Sequence, residues 1–426
     1  VVSLIGSGLT SFALGVWTFQ STGSATQFAL IGLCAVLPRV VLSPLAGMVV
    51  DRWDRRWVMI VSDLGAGLAT VIVVVLLFAG RLEIWHIYLL TAINASFSTV
   101  QWPAFAAVTT LLVPKESLGR ANGMVQFGQA ASEILSPVLA GVLVPLIRLE
   151  GVVLIDVVTF TFAVSTLLVV RFPRPKPTSE GPREEGSLWQ DLTFGWTYIS
   201  ARQGLLGLLI FLAVVKFIWG MAGALITPMI LSWTSSGVLG VLLSIAGAGL
   251  LAGSLIMTIT GGPQRRIRGV LYGELLSGIC FVLIGSRASF WPVAAGVFGA
   301  HATIAIIYAS NQAIWQSKVA PNVQGRVFAT QQMVTGAAAP LAYLLAGPLA
   351  DRIFEPMLAA NGPLAHGVGL ILGTGPGRGI GLLFVIMGLV KIGITLLGQA
   401  NAHVRNVEDE LPDGIVNAGS TSQARA

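Results

Sequence analysis

A chain of 426 residues, 54% hydrophobic and 10% charged, is not a string of water-soluble domains, which carry about 25% charged residues. At a mean hydropathy of +0.82 it has too little polar surface to stay dispersed in water. The net charge of +6 does not indicate nucleic-acid binding, because the lysines and arginines sit in short segments between apolar runs, where membrane topology accounts for them.

A membrane-spanning helix needs about 20 apolar residues. In chain order, twelve such segments are predicted, over residues 1–19, 28–50, 57–79, 87–112, 121–146, 151–170, 204–232, 237–260, 269–286, 290–316, 327–349 and 379–400. They are continuously apolar rather than alternating, which favours helices over the strands of a barrel. The first run has no basic flank and no cleavage site, so it reads as a span and not as a signal peptide. The sequence opens at Val1 without a methionine, which leaves the start of that span open. Cys34 and Cys280 lie within apolar runs and read as small buried side chains rather than a disulfide.

Between the sixth and seventh spans, residues 172–187 read FPRPKPTSEGPREEGS, too rich in Pro and charge to cross a bilayer. Next, Trp189, Leu192, Trp196 and Ile199 recur at helical spacing and predict an amphipathic helix lying in the interface. The chain is therefore expected to hold a six-span bundle over 1–171, a cytoplasmic linker over 172–203, a second six-span bundle over 204–400 and a polar, disordered tail over 401–426. Most basic residues fall in alternate loops, among them Arg52, Arg55, Arg56, Lys115, Arg120, Arg265, Arg266 and Arg268; the opposite loops hold Arg81, Arg148, Arg287, Arg352 and Arg378. Positive charge stays inside, so both termini are expected in the cytoplasm.

An internal repeat supports two halves. Residues 119–143 align without a gap on 325–349, sharing Gly119 with Gly325, Arg120 with Arg326, Gln126 with Gln332, and Leu139-Ala140-Gly141 with Leu345-Ala346-Gly347. Asp63 and Glu274 form a further pair, each following a basic loop and trailed by small residues.

The loop between spans 2 and 3 reads Gly47-Met-Val-Val-Asp51-Arg52-Trp-Asp54-Arg55-Arg56. Gly47 allows close helix approach, Asp51 can cap the next helix start, and the arginines can clamp carboxylates or helix carbonyls. The sister loop, Gly261-Gly262-Pro263-Gln264-Arg265-Arg266, keeps the Gly and the basic pair without the Asp-Arg. Span 5 carries Gly123, Ser132, Ser136, Pro137 and Gly141, and span 8 is equally rich in small residues, so both present thin faces for packing.

The 2–3 loop resembles the signature of the major facilitator superfamily and departs from it at Asp54, where that family has Gly. Ser11-Phe-Ala-Leu-Gly15-Val-Trp17, Val50-Asp51-Arg52-Trp53-Asp54-Arg55-Arg56-Trp57 and Gly373-Thr374-Gly375-Pro376-Gly377 look like its macrolide-efflux and enterobactin-exporter branch. The resemblance implies an all-α polytopic fold of two pseudo-symmetric six-helix bundles. It also implies spans 5 and 8 meeting between them, a central cavity lined by spans 1, 4, 7 and 10, and export of a hydrophobic or amphipathic organic compound.

Ionisable groups at membrane depth are costly and mark cavities or partners. Arg39, Glu133, Lys216, His301 and Lys391 fall near mid-depth; Asp63 and Glu274 lie roughly 10 Å from the inner side, and Asp156 about as far from the outer side. Glu133 is either a proton carrier or the static partner of Arg39. Asp63 and Glu274 belong either to inner gate networks or, with Asp156, to the set of proton-coupling candidates. Candidate cavity residues are Asn94, Gln101, Trp102, Lys216, Trp219, His301, Tyr308, Asn311 and Gln312, a mixture suited to a large amphipathic molecule. Gly373 to Gly379 is no phosphate loop, since no Lys-Ser/Thr follows, and the four histidines are scattered, so neither metal nor cofactor is expected.

The reading is a monomeric secondary transporter of the cell membrane whose partners are a small-molecule substrate, protons and the lipid bilayer. A proton-coupled importer is the alternative. A membrane enzyme would need a nucleophile–base or metal constellation that the sequence does not offer, and a sensor would need a larger soluble domain than the tail.

Overall fold

The computed structural model describes residues 2–53, 55–112, 118–169, 188–320 and 323–410, with only the backbone path for 44–45, 47–52, 55–56, 102–112, 118–127, 130, 167–169, 188–192 and 410. The apolar runs become helices, and among the described residues there is no strand. The N-terminal half holds α1 (Val2–Thr22), α2 (Ala25–Arg52), α3 (Arg55–Phe78), α4 (Ile84–Leu112) and α5 (Leu118–Val169). Next come α6 (Leu188–Ser200), α7 (Gln203–Leu231), α8 (Ser236–Thr260), α9 (Arg266–Ser286), α10 (Phe290–Lys318), α11 (Gln324–Gly336) and α12 (Ala338–Leu349). A π turn at Ala350–Phe354 leads to α13 (Glu355–Met357) and α14 (Val368–Leu372); α15 (Arg378–Ala400), α16 (Ala402–Arg405) and α17 (Val407–Glu410) are the last elements of the described residues.

Ten stretches of the described residues are long and apolar enough to cross a membrane. Two are compound. The stretch Ala131–Thr166 lies in α5, where the predicted spans 121–146 and 151–170 run together and the chain turns at Arg148 (φ 60°). Gln324–Met357 joins α11 and α12 to the π turn and α13. The helix α4, which carries Asn94 and Gln101, is not among the ten. Twelve crossings follow only if α5 crosses once on either side of Arg148 and α4 crosses as well.

In the N-terminal half α1 packs along α5, while α4 packs on α2 and α3. In the C-terminal half α9 lies against α10 and α15, α8 against α10, and α7 against α12 and α15. Contacts between the halves run α5 to α8, α2 to α12 and α7, and α1 to α7. A stripe on α3, Val61, Leu64, Leu68, Ile72 and Val75, stays exposed at helical spacing. Exposure that would be a liability in water is what a lipid-facing helix presents.

One expectation is corrected and one is refined. Residues 402–410, placed in a disordered tail, are helical and docked: Val404 and Val407 are buried. Glu408 Oε2 accepts the Ile267 N–H (2.9 Å), and Asp409 pairs with Arg265 (3.4 Å). Apolar residues two turns beyond the last span are enough to anchor it. On α6 the predicted face splits. Ile199 is buried with Gly195, which lies so close to α11 that a Cβ would meet Thr330 Oγ1 at 2.0 Å, whereas Trp196 is exposed. The glycine, not the tryptophan, sets which side of α6 meets the protein, and Trp189 and Leu192 have side chains outside the described residues.

Candidate functional site

An apolar helix bundle can hold charge only where a partner is built in. One such place is the centre of the C-terminal half. Lys391 Nζ on α15 lies 2.7 Å from Glu274 Oε2 on α9 and donates to Ser277 Oγ (2.6 Å). Both charged side chains are buried, at 0% and 1% exposure. Nζ also sits 4.7 Å from the ring centroid of Trp219 and 4.9 Å from that of Phe281, within cation–π reach. Trp219 meets Phe281 and His301 edge-on, and His301 Nδ1 lies 2.9 Å from the Val297 carbonyl. Glu274 is thus held inside its own half. Its sequence counterpart Asp63 has a different partner, since Gln101 Nε2 donates to Asp63 Oδ1 across the α3–α4 contact. Equivalent positions in the two halves therefore carry different chemistry.

Helix α5 uses its small residues on two sides. Ser132 and Ser136 face α1: Ser136 Oγ donates to the Ile5 carbonyl (3.2 Å), and a Cβ on Gly8 would meet it at 2.4 Å. Pro137 and Gly141 face α8, where a Cβ on Gly240 would come 2.4 Å from the Pro137 carbonyl oxygen and one on Gly141 3.0 Å from that of Ser236. Ser244 Oγ closes the same contact on the Ile134 carbonyl (2.9 Å). At 3.6 residues per turn, position 133 falls between these two faces, and Glu133 is exposed in the wedge between α1 and α8. Its alternative role as partner of Arg39 is corrected. Arg39 is exposed as well, and among the described residues no ion pair joins them.

Asp156 is buried where α5 meets α1. Ser7 Oγ donates to it (3.3 Å), and Gly6 leaves room for it. Asn94 Nδ2 reaches the Ala66 carbonyl (3.5 Å), so Asn94 and Gln101 both bind α3 here. Lys216 and Tyr308 are exposed, Gln312 is half-buried, and Asn311 is buried as the acceptor of Trp315 Nε1 (3.1 Å). Two open hollows lie on the surface of the described residues. One of about 340 Å³ at the start of α9 is lined by Arg265, Arg268, Tyr272 and Arg405. The other, about 290 Å³ and apolar, lies between α7 and α11–α12 beside Phe217 and Leu341. Neither is lined by the predicted cavity residues.

The motif between spans 2 and 3 is traced only in its backbone. Asp51 and Arg52 end α2 and Arg55 and Arg56 begin α3, so Asp51 lies in the last turn of its own helix; the side chains of these four, of Gly47, and of Trp102 and Gly123 fall outside the described residues.

Sequence reasoning missed Asp351 altogether. On the π turn, Asp351 accepts from the Ala25 N–H (3.0 Å), the Thr26 N–H (2.9 Å) and Ser24 Oγ (2.7 Å), while Ser24 Oγ accepts from the Gln27 N–H (3.2 Å). The free N–H groups that open α2 are thereby satisfied from the other half of the chain. Glu355, one turn on, does the same within its own half, accepting from Gly377 N–H (3.0 Å) and Ile380 N–H (2.9 Å) at the start of α15. The available signal was Gly347-Pro-Leu-Ala-Asp351-Arg352, which repeats the spacing of Gly47 to Arg52.

Known proteins are similar to this chain in sequence and in fold. The sequence profile of the Major Facilitator Superfamily matches residues 1–343. The chain belongs to the major facilitator superfamily. Macrolide efflux protein A of Streptococcus pyogenes is 28% identical to this facilitator over 368 residues, 83% of this chain and 87% of its own. The multidrug efflux pump Tap of Mycobacterium bovis is 25% identical over 377 residues, 82% and 85% of the two chains. A bacterial homolog of the human lysosomal transporter Spinster, solved inward-facing and unoccupied, superposes with a TM-score of 0.67 at 15% identity, covering 96% of this facilitator and 97% of that chain. That likeness carries the fold. The facilitator is a helical multi-pass membrane protein of a transporter family, and the superfamily resemblance of its 2–3 loop is matched by the profile.

Proposed function

We propose that this facilitator exports a hydrophobic or amphipathic organic compound, of macrolide-like, drug-like or siderophore-like chemistry, in exchange for protons. The observation that carries the reading is its similarity to two efflux proteins across 82–83% of its length. In this reading it crosses the cell membrane twelve times with both termini in the cytoplasm, works as a monomer, and alternates access by rocking two six-helix bundles joined by residues 172–203. The α5–α8 and α2–α12 contacts close the outer side. Below them Glu133 stands exposed between the faces of α5 that meet α1 and α8, as the candidate proton carrier of this reading. In this reading Lys216, Trp219, His301, Tyr308, Asn311 and Gln312 on α7 and α10, with Asn94, Gln101 and Trp102 on α4, meet the amphipathic cargo, the lysine supplying a charge and the others amides, a hydroxyl and rings.

Inverted membrane vesicles test the direction. Cargo is expected to accumulate inside them while the lumen turns alkaline; cargo movement with protons in the same direction would reverse the reading. Glu133→Gln is expected to abolish uphill pumping and to spare downhill exchange of cargo, and unchanged pumping would remove Glu133 from the proton path. Asp51→Asn is expected to lower transport about tenfold with insertion intact, the scale of one lost charge-assisted contact. Full transport by that variant would remove Asp51 from the inner clamp.

A further inference from the structure

A helix start is ordinarily capped by the residue just before it. Ser24 does this for α2 at the Gln27 N–H (3.2 Å), and the two N–H groups before it, of Ala25 and Thr26, are taken by Asp351, 325 residues from Thr26 in sequence. The approach that makes this possible is close: a Cβ on Gly347 would lie 2.3 Å from Thr26 Cα, so only glycine lets α12 come so near. Pro348 and the widened turn that follows it, in which the Glu355 N–H reaches back to the Ala350 carbonyl, bring Asp351 round to the end of α2. A carboxylate there also meets the positive end of the helix. Gly347 and Asp351 stand four residues apart, as do Gly47 and Asp51 at the opposite end of α2. The two segments are thus spaced alike and lie at opposite ends of one helix.

We propose that Gly347 and Asp351 form a latch holding α12 on α2 at the outer side of the transporter, and that Asp351 is a positioning residue setting the balance between the outer-closed and outer-open states. The proposal rests on alternation between the halves, not on the identity of the cargo. The latch is reversible for a physical reason. When α12 withdraws, water can take over the Ala25 and Thr26 N–H groups and the Asp351 carboxylate, so opening leaves no orphaned buried donor. Glu355 cannot substitute, because it is engaged at the start of α15. Arg352, next in sequence, is exposed and makes no hydrogen bond or ion pair among the described residues, which makes it the natural control.

The test reads outer access directly. Ala29, 1% exposed in the cluster that includes Ala342 and Ala346, is replaced by Cys in a chain carrying Cys34→Ser and Cys280→Ser, and intact cells are treated with a membrane-impermeant maleimide. Adding Asp351→Asn, which removes the charge and one of the two acceptor oxygens, is expected to raise the labelling rate about fivefold to tenfold, the scale of losing charge assistance from these hydrogen bonds. Ser24→Ala, which removes one of the three donors, is expected to raise it less, and Arg352→Gln to leave it unchanged. Parent-like rates in both Asp351→Asn and Ser24→Ala would overturn the latch, as would an equal rise in Arg352→Gln. Should Asp351→Asn fail to reach the membrane, Ser24→Ala decides alone: faster labelling supports the latch and a parent-like rate overturns it. Faster labelling in a protein that exports no cargo would sink the export reading and leave the latch standing.

Discussion

Glu274→Gln alone is expected to cut the yield of folded transporter severely, and Glu274→Gln combined with Lys391→Met is expected to restore it. The single change leaves the Lys391 ammonium fully buried between α9 and α15 with Ser277 and two aromatic rings for company. A hydroxyl and two ring faces do not replace a counter-charge. Breaking one side of a buried ion pair costs about 3–5 kcal/mol, a large share of a marginal folding free energy of about 5–15 kcal/mol. Lys391→Met alone strands the carboxylate instead and is expected to be about as harmful. The double variant removes both charges, and an apolar pair of similar volume is often neutral or stabilising in place of a buried salt bridge. Thermal unfolding in detergent and the monodisperse fraction after size exclusion read the effect. A single Gln variant as stable as the parent would show that the pair does not hold the C-terminal helices together. Transport decides what else the pair does. A stable double variant that still pumps makes the pair structural, and a stable one that does not pump gives it a part in the cycle.

The helices were legible because hydrocarbon solvation writes itself into long apolar runs, and the outward stripe on α3 is the direct image of that constraint. The small residues of α5 and α8 were legible as packing faces for the same reason, since glycine and serine in a lipid-solvated helix mark close approach. Partners were not. Glu274 and Lys391 are 117 positions apart, both visible as charges at depth, and nothing in composition says that α9 and α15 turn those faces to each other. The Glu133–Arg39 pairing failed on the same ground, because a shared half of the chain does not fix helix rotation. Asp351 was hidden more deeply. It lies just past the predicted span 327–349, and its role depends on a helix start more than 300 positions earlier. The tail beyond 401 misled through composition: its acidic residues suggested solvent, yet Val404 and Val407 are buried and Glu408 caps α9.

Gly240→Val is expected to lower transport at least tenfold while the protein still inserts, because it wedges open the contact between α5 and α8. A Cβ at 240 would lie 2.4 Å from the Pro137 carbonyl oxygen and 3.1 Å from its carbonyl carbon, with Gly141 Cα at 3.4 Å. Those atoms are backbone, so no side chain can rotate out of the way. The helices must separate, and the Ser244 hydrogen bond to the Ile134 carbonyl stretches with them. Overpacking of this kind costs about 1–3 kcal/mol, enough to shift a two-state equilibrium by about tenfold or more without unfolding helices that lipid keeps formed. Two glycines calibrate the result. At Gly237, in the same contact, a Cβ would sit 3.7 Å from the Gly141 carbonyl oxygen, an ordinary distance, so Gly237→Ala is expected to be tolerated. At Gly393 on α15 nothing lies within 4 Å, so Gly393→Ala is expected to be neutral or slightly stabilising through helix propensity. Cargo transport normalised to membrane-inserted protein ranks the three. If Gly240→Val transports like Gly237→Ala, close approach of α5 to α8 is a feature of packing and not a step of the cycle.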